Sequence, residues 1–221
     1  IFQNRTEAGR KLAEHLTRYA NRDDVIVLGV PRGGVPVAFE IATALHAPLD
    51  VFVLRKLGVP WQEELAFGAI AGGGIRILDE EIMDAAGVSM LDVEEVAKKE
   101  LKELERREHA YRAGRPPLEV EGRTVILVDD GIATGSSMRA GIAALRQRKP
   151  ARLVIAVPVA PPSTCERLSP TVDELVCLSR PESFYAIGQF YLDFLPVADE
   201  EVTELLRRAA SPAVHGAGAK Q

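Results

Sequence analysis

Val125-Ile-Leu-Val-Asp-Asp-Gly-Ile-Ala-Thr-Gly-Ser-Ser137 decides how this chain is read. The apolar run Val125 to Val128 has the length and composition of a strand buried inside a parallel sheet. Two adjacent carboxylates, Asp129 and Asp130, stand at its C-terminal end. Gly131, Ile132, Ala133, Thr134, Gly135, Ser136 and Ser137 then form a small-residue loop, and Met138 to Arg148 has a helical pattern. Free backbone N–H groups at a helix start bind phosphate, and glycine lets that backbone come close to the anion. Carboxylates beside a phosphate would repel it, so the acid pair must serve another part of the ligand, either sugar hydroxyls or a magnesium ion. A phosphate with a vicinal diol next to it fits both halves, and ribose 5-phosphate is the commonest such group.

Plainer readings of the same residues account for less. A helix-capping carboxylate explains one Asp and not both. Two like charges side by side raise each other's proton affinity unless hydroxyls or a cation satisfy them. Ser and Thr also cap helices. A Walker phosphate loop is excluded because no Lys follows Gly135. The Asp-x-Asp arrangement of aspartyl phosphatases is absent, because these two acids are adjacent.

Two further segments extend the pattern. Val25-Ile-Val-Leu-Gly-Val-Pro-Arg-Gly-Gly34 reads as a strand followed by a tight turn of Pro31, Arg32, Gly33 and Gly34, with a helix from Val35 to Leu45. Val51-Phe-Val-Leu-Arg-Lys-Leu-Gly58 returns as a strand over Val51 to Leu54, with Arg55 and Lys56 at its end. Together they make a βαβ unit whose crossover is expected to be right-handed. In open sheets of this kind ligands bind outside the C-terminal ends of the strands, where the turn, the basic pair and the acid pair all fall.

The three segments, spread over roughly residues 25 to 160, resemble the type I phosphoribosyltransferases. Residues 125–137 look like that family's signature for phosphoribosyl pyrophosphate (PRPP), residues 25–34 like its pyrophosphate loop, and residues 51–58 like the strand preceding its mobile active-site loop. The resemblance implies a Rossmann-like parallel α/β sheet flanked by helices, with a small hood and insertion. It implies transfer of the 5-phosphoribosyl group of PRPP to a nitrogen acceptor, a nucleobase, with release of pyrophosphate and with Mg2+ as cofactor. On this resemblance Asp129 and Asp130 contact the ribose diol and serve as direct or indirect magnesium partners. Residues 131–137 cradle the 5-phosphate. Pro31, Arg32, Gly33 and Gly34 bind pyrophosphate through backbone amides, and Arg55 and Lys56 neutralise the leaving group. Family members are often dimers, so a homodimer is expected.

Composition fits this class. At 221 residues, 47% of them hydrophobic, the chain suits one sizeable α/β domain with a modest appendage. A net charge of −5 gives no overall basic field of the kind a nucleic-acid binder needs. Two cysteines, Cys165 and Cys177, without CxxC spacing or clustered histidines, argue against zinc or iron–sulfur chemistry and a disulfide framework. No apolar run reaches the roughly 18 residues of a membrane span, so a soluble cytoplasmic protein without a membrane partner is expected. The chain opens at Ile1 without an initiating Met, which leaves room for residues upstream.

The remaining elements are read by periodicity. Ala8, Leu12, Ala13, Leu16 and Tyr19 give an amphipathic first helix over residues 5–20. Leu65–Ala71 and Ile75–Leu78, joined by Gly72–Gly74, suggest a hairpin over the site, which the resemblance assigns to the mobile loop. In an insertion over about 79–117, Leu91 to Arg112 reads as a long, partly exposed helix with Val93, Val96, Leu101 and Leu104 as its apolar stripe. Strands are expected over Leu153 to Val157 and Val172 to Leu178, a short helix from Pro161-Pro162 to Leu168, and a closing helix over Val202 to Ala209. The phosphoribosyltransferase domain is expected over 1–210 and a disordered tail over 211–221. A hood over about 180–195 holds Phe184, Tyr185, Phe190 and Tyr191. Such aromatics are core residues or stacking platforms, and Phe184 and Tyr185 are the candidates for base binding. A non-catalytic binder of PRPP or a nucleotide on the same fold is the rival reading. A doubly wound hydrolase ranks behind it.

Overall fold

The computed structural model describes residues 1–211; the tail expected over 211–221 lies outside the described residues except for Ser211. Its centre is a five-stranded parallel sheet in the order β2-β1-β6-β7-β8. The strands are β1 (Val25–Gly29), β2 (Leu49–Val51), β6 (Thr124–Val128), β7 (Arg152–Val159) and β8 (Glu174–Ser179). β1 and β6 are buried at every position, as strands covered by helices on both faces must be. Helices α1 (Arg5–Glu14), α2 (Gly34–Leu45), α5 (Ser136–Gln147), α6 (Pro162–Leu168) and α7 (Asp199–Ala210) belong to this layered body. One apolar layer joins α1 and α2 to the sheet through Leu12, Leu16, Ile41, Leu45 and Ile126. The other joins α5 and α6 to it through Phe52, Leu127, Ile142, Leu145 and Leu168.

β1 connects to β2 on one side of itself and pairs with β6 on the other, so the strand order reverses between β1 and β6. Gly29 is in register with Val128. The loops that follow these residues therefore start about 4.8 Å apart, one interstrand spacing. Ligand sites of open α/β sheets lie in the crevice at such a reversal.

The first helix is shorter than its periodicity predicts. α1 stops at Glu14, and Thr17–Tyr19 forms a 3-10 turn that still buries Leu16 and Tyr19. A larger correction concerns residues 51–59. The apolar run Val51–Leu54 is not one strand. β2 ends at Val51, and β3 (Leu54–Val59) belongs to a separate antiparallel sheet with β4 (Gln62–Ala71) and β5 (Ile75–Leu78). The predicted hairpin is thus the β4–β5 half of a three-stranded sheet with buried side chains of its own, Leu57, Phe67 and Ile70.

α3 (Glu80–Ala86) and α4 (Met90–Arg112) follow, and the predicted long helix is α4. A Ser89–Asp92 capping box starts it, and Val93, Ala97 and Leu104 bury its apolar stripe with Leu57, Phe67 and Val202. Its last turn is tied to the parallel sheet. Arg112 donates to Asp50 at 2.9 Å and also pairs with Glu108 at 3.3 Å, both arginine and acids being largely buried. Asp50 in turn accepts from the Leu118 amide at 3.0 Å. Among the described residues no helix is long and apolar enough to cross a membrane.

Candidate functional site

The acid pair and the Pro31–Gly34 turn are in direct contact. A Cβ built on Gly33 would lie 2.0 Å from Asp130 Oδ2, and one on Gly34 would lie 2.7 Å from the Val128 carbonyl oxygen. Any side chain at either position would occupy the space of the acids or of their strand, so the two glycines set how closely the loops approach. The Val30 amide donates to the Val128 carbonyl at 2.9 Å, locking the start of the turn onto β6. The Pro31–Arg32 peptide bond is cis. Arg32 is exposed, and among the described residues its guanidinium has no hydrogen-bond partner.

Asp130 is buried and held. Arg5 Nε donates to its Oδ2 at 2.8 Å, while Arg5 Nη1 donates to the Leu195 carbonyl at 2.8 Å and the guanidinium lies 3.9 Å from the Phe194 ring centroid. Tyr191 donates its hydroxyl to the Asp130 backbone carbonyl at 2.6 Å. Asp129 is half-buried, and its Oδ1 accepts the Asp130 amide at 2.8 Å. Burial pushes the Asp129 carboxyl well above the usual range, and the neighbouring Asp130 charge adds to this. Burial also raises Asp130, against the opposing pull of Arg5. The pair therefore holds negative charge reluctantly, and hydroxyl donors or a cation at this place would stabilise it.

The loop after the acids ends at Gly135, whose φ of +80° and a Thr164 Cγ2 3.0 Å from a built Cβ both call for glycine. Gly135 is the N-cap of α5, and no side chain caps that helix. Capping therefore explains neither the acids nor the hydroxyls. Among the described residues the amides of Ala133, Thr134 and Gly135 donate to no protein acceptor, and the first-turn amides of any α-helix lack intrahelical partners. Together they form an array of outward donors suited to an anion.

A cavity of about 460 Å³ opens on this array, lined by Thr134, Gly135, Ser136, Arg139, Arg167 and Leu168. Arg167 on α6 donates to the Thr134 carbonyl and to Thr164 Oγ1, both at 3.1 Å. Thr164 Oγ1 donates to the Ala133 carbonyl at 2.8 Å. α6 thus braces the loop from behind while bringing a second guanidinium beside Arg139. Gly131 and Ile132 are buried under this surface, whereas Ala133, Thr134, Ser136 and Ser137 are exposed on it.

Not every candidate converges on this place. Arg55 and Lys56 lie in β3 of the antiparallel sheet, not at the end of a parallel strand as predicted. Arg55 Nε is committed to Glu100 of α4 at 2.5 Å, and Lys56 is exposed. Phe184 packs on Phe190 with ring centroids 5.1 Å apart, and Tyr185 is 90% exposed. Neither ring lines the cavity at the loop. Sequence reasoning missed Arg5, Tyr191, Thr164, Arg139 and Arg167. Arg139 carried a readable signal, one helical turn after Ser136. The other four reach the site only through tertiary packing.

Comparison with known proteins bears on the family and the fold. A family model described as "Phosphoribosyl transferase domain" matches residues 1–195. Two curated Mycobacterium tuberculosis proteins, from strains H37Rv and CDC 1551, each bear the name "Putative phosphoribosyl transferase". Each is 44% identical over 209 residues, a match covering 95% of this chain and 47% of the relative. The chain thus spans about half the length of the curated relatives it matches. The crystal structure of TT1426 from Thermus thermophilus is similar at a TM-score of 0.83 and 42% identity, covering 95% of this chain and 99% of that one. AQ2163 from Aquifex aeolicus, at 13% identity and a TM-score of 0.51 over 94% of this chain and 85% of that one, shares the fold.

Proposed function

The chain belongs to the phosphoribosyl transferase domain family, and we propose that it transfers the 5-phosphoribosyl group of PRPP to a nitrogen acceptor, a nucleobase, with release of pyrophosphate. One observation carries the reading. The acid pair sits between two loops, touching the Pro31–Gly34 turn and leading directly into the amide array beside the 460 Å³ cavity. PRPP has the same order of groups, with a diphosphate, a ribose diol and a 5-phosphate in sequence.

In this reading the amides of residues 133–138, with Arg139 and Arg167, take the 5-phosphate. The acid pair accepts hydrogen bonds from the ribose hydroxyls, which offsets the mutual repulsion of the two carboxylates. Arg5 and Tyr191 hold Asp130 in position. The C1–O bond to diphosphate breaks as the acceptor nitrogen forms a bond to C1, and negative charge builds on the departing group. The protein's part is to position the reactants and to stabilise charge, with no covalent enzyme intermediate.

The donor set also bears on magnesium. Among the described residues no three or more His, Cys, Asp or Glu are grouped to hold a metal. Magnesium is commonly bound through one or two carboxylates plus substrate phosphates while keeping several waters. Asp129, the acid not taken by Arg5, fits that pattern together with a diphosphate. When bound, the ion would offset the charge of the leaving group. The same proposal treats residues 1–210 as one domain acting on small molecules in the cytoplasm as a homodimer, with Phe184 and Tyr185 as candidate contacts for the base.

The test is pyrophosphate release from PRPP with magnesium and a panel of nucleobases. The wild-type protein turns over at least one base, and the double variant Asp129→Asn/Asp130→Asn loses turnover while keeping its circular dichroism spectrum. Wild-type activity in the double variant overturns the assigned role of the acids. Saturable PRPP binding without pyrophosphate release from any base would move the chain to the rival, binding-only reading.

A further inference from the structure

A second cavity, of about 120 Å³, is lined by Val30, Pro31 and Arg32 of the turn, Val53 and Leu54 after β2, and the α4 residues Arg107 and Tyr111. Arg32 and Arg107 both line it, and no Asp or Glu is among its lining residues. Arg107 spends only its Nε on a protein partner, Glu103 Oε1 at 2.8 Å, and its two terminal nitrogens have no protein acceptor among the described residues. Among the described residues Arg32 has none. Glu103 is shared with Arg106, so one carboxylate serves two guanidiniums, and Arg107 with Arg32 around a small cleft makes a site for an anion with several oxygens.

Resting on the phosphoribosyltransferase reading, the geometry points to Arg107, a residue of the inserted helix, as a binding residue for the diphosphate group. It takes the task that sequence reasoning gave to Arg55 and Lys56. Arg55 does not line this cavity, and it has Glu100 of the same helix to itself, whereas Arg107 lines the cavity and shares Glu103 with Arg106. α4 thus withdraws one arginine and supplies another, about two turns nearer its C-terminal end. Its position is fixed from two sides. Arg112 is bound to Asp50 in the middle of β2, and the Tyr111 hydroxyl donates to Asp199 of α7 at 2.7 Å. An arginine on so anchored a helix is held ready for the anion before it arrives, which lowers the ordering cost of binding.

The experiment is calorimetric titration of the wild-type protein, Arg107→Ala and Arg107→Lys, with inorganic pyrophosphate and magnesium in one series and ribose 5-phosphate in the other. The alanine variant is expected to fold, since alanine favours helix and Glu103 keeps Arg106 as a partner. Its thermal midpoint should confirm this. Arg107→Ala should weaken pyrophosphate binding about tenfold or more and leave ribose 5-phosphate within twofold, with Arg107→Lys between the wild type and alanine for pyrophosphate. Equal pyrophosphate affinity in the wild type and Arg107→Ala overturns the inference and leaves the phosphoribosyltransferase reading standing. So does a wild type that binds ribose 5-phosphate but not pyrophosphate. A wild type that binds neither ligand, nor PRPP, removes that reading and this inference with it.

Discussion

Gly33→Ala tests the contact on which the site depends, because local and tertiary effects predict opposite signs. Gly33 has φ −63° and ψ −29°, a conformation open to any residue. On backbone grounds alone alanine would stabilise the fold by about 0.4–1 kcal/mol, by restricting the unfolded chain. In the folded protein its Cβ would stand 2.0 Å from Asp130 Oδ2, 2.7 Å from Asp130 Cγ and 3.2 Å from Arg5 Nε. Side-chain carbons essentially never approach closer than 3.0 Å, so the carboxylate must retreat by roughly 1 Å and part from Arg5. Leaving one partner of a buried ion pair unmatched costs about 3–5 kcal/mol. Asp130 relieves some of that by taking up a proton, since its proton affinity is already raised. The expected net loss is then about 2–4 kcal/mol, or about 4–16 °C in thermal midpoint at 2–4 °C per kcal/mol for a domain of this size. Differential scanning calorimetry measures the loss, and titration with PRPP should show binding weakened at least tenfold. In an Asp130→Ala background the obstacle is gone, and the same Gly33→Ala change should become neutral or stabilising. A raised midpoint for Gly33→Ala in the wild-type background would refute the contact between the turn and the acid pair, and the site built on it.

Two further outcomes follow from the structure. Thr164→Val keeps the shape but removes the bond to the Ala133 carbonyl and the acceptor for Arg167. It should cost about 1 kcal/mol of stability and raise the KM for PRPP several-fold with a smaller change in kcat, read by steady-state kinetics. Burial first, then the bond to Asp199, push the Tyr111 phenol up to about 12. The folded state thus holds this proton more tightly than the unfolded chain. The stability it contributes is full below the unfolded value near 10 and is lost as pH rises through about 12. Urea midpoints measured from pH 9 to 11 should fall more steeply for the wild type than for Tyr111→Phe, and parallel slopes would contradict the assigned burial.

Much of the fold was legible because its signals are local. The apolar runs at Val25–Val30, Val125–Val128 and Leu153–Val157 read as buried strands, and each is followed by glycine or proline and a helical period. The acid pair, the turn at Pro31–Gly34 and the loop to Ser137 were read for the same reason. Each is a short contiguous stretch whose chemistry depends on its own order of residues. The run Val51–Leu54 misled because hydrophobic periodicity records burial and not the partner strand. Val51 is buried in the parallel sheet, and Phe52 and Val53 are buried in the passage to the antiparallel one.

What the chain determined by itself is therefore the parallel α/β class and the two contiguous loops, at Pro31–Gly34 and after Asp130. Only the tertiary structure decided which side chains attend those loops. Arg5 reaches Asp130 across 125 positions of sequence, Tyr191 reaches the same residue across 61, and Arg107 arrives on a helix whose place is set by Asp50 and Asp199. The physical reason is the range of the interactions. Strand and helix patterns and glycine turns are written by neighbours in the chain, whereas ion pairs and cavity walls join residues that only the folded core brings together.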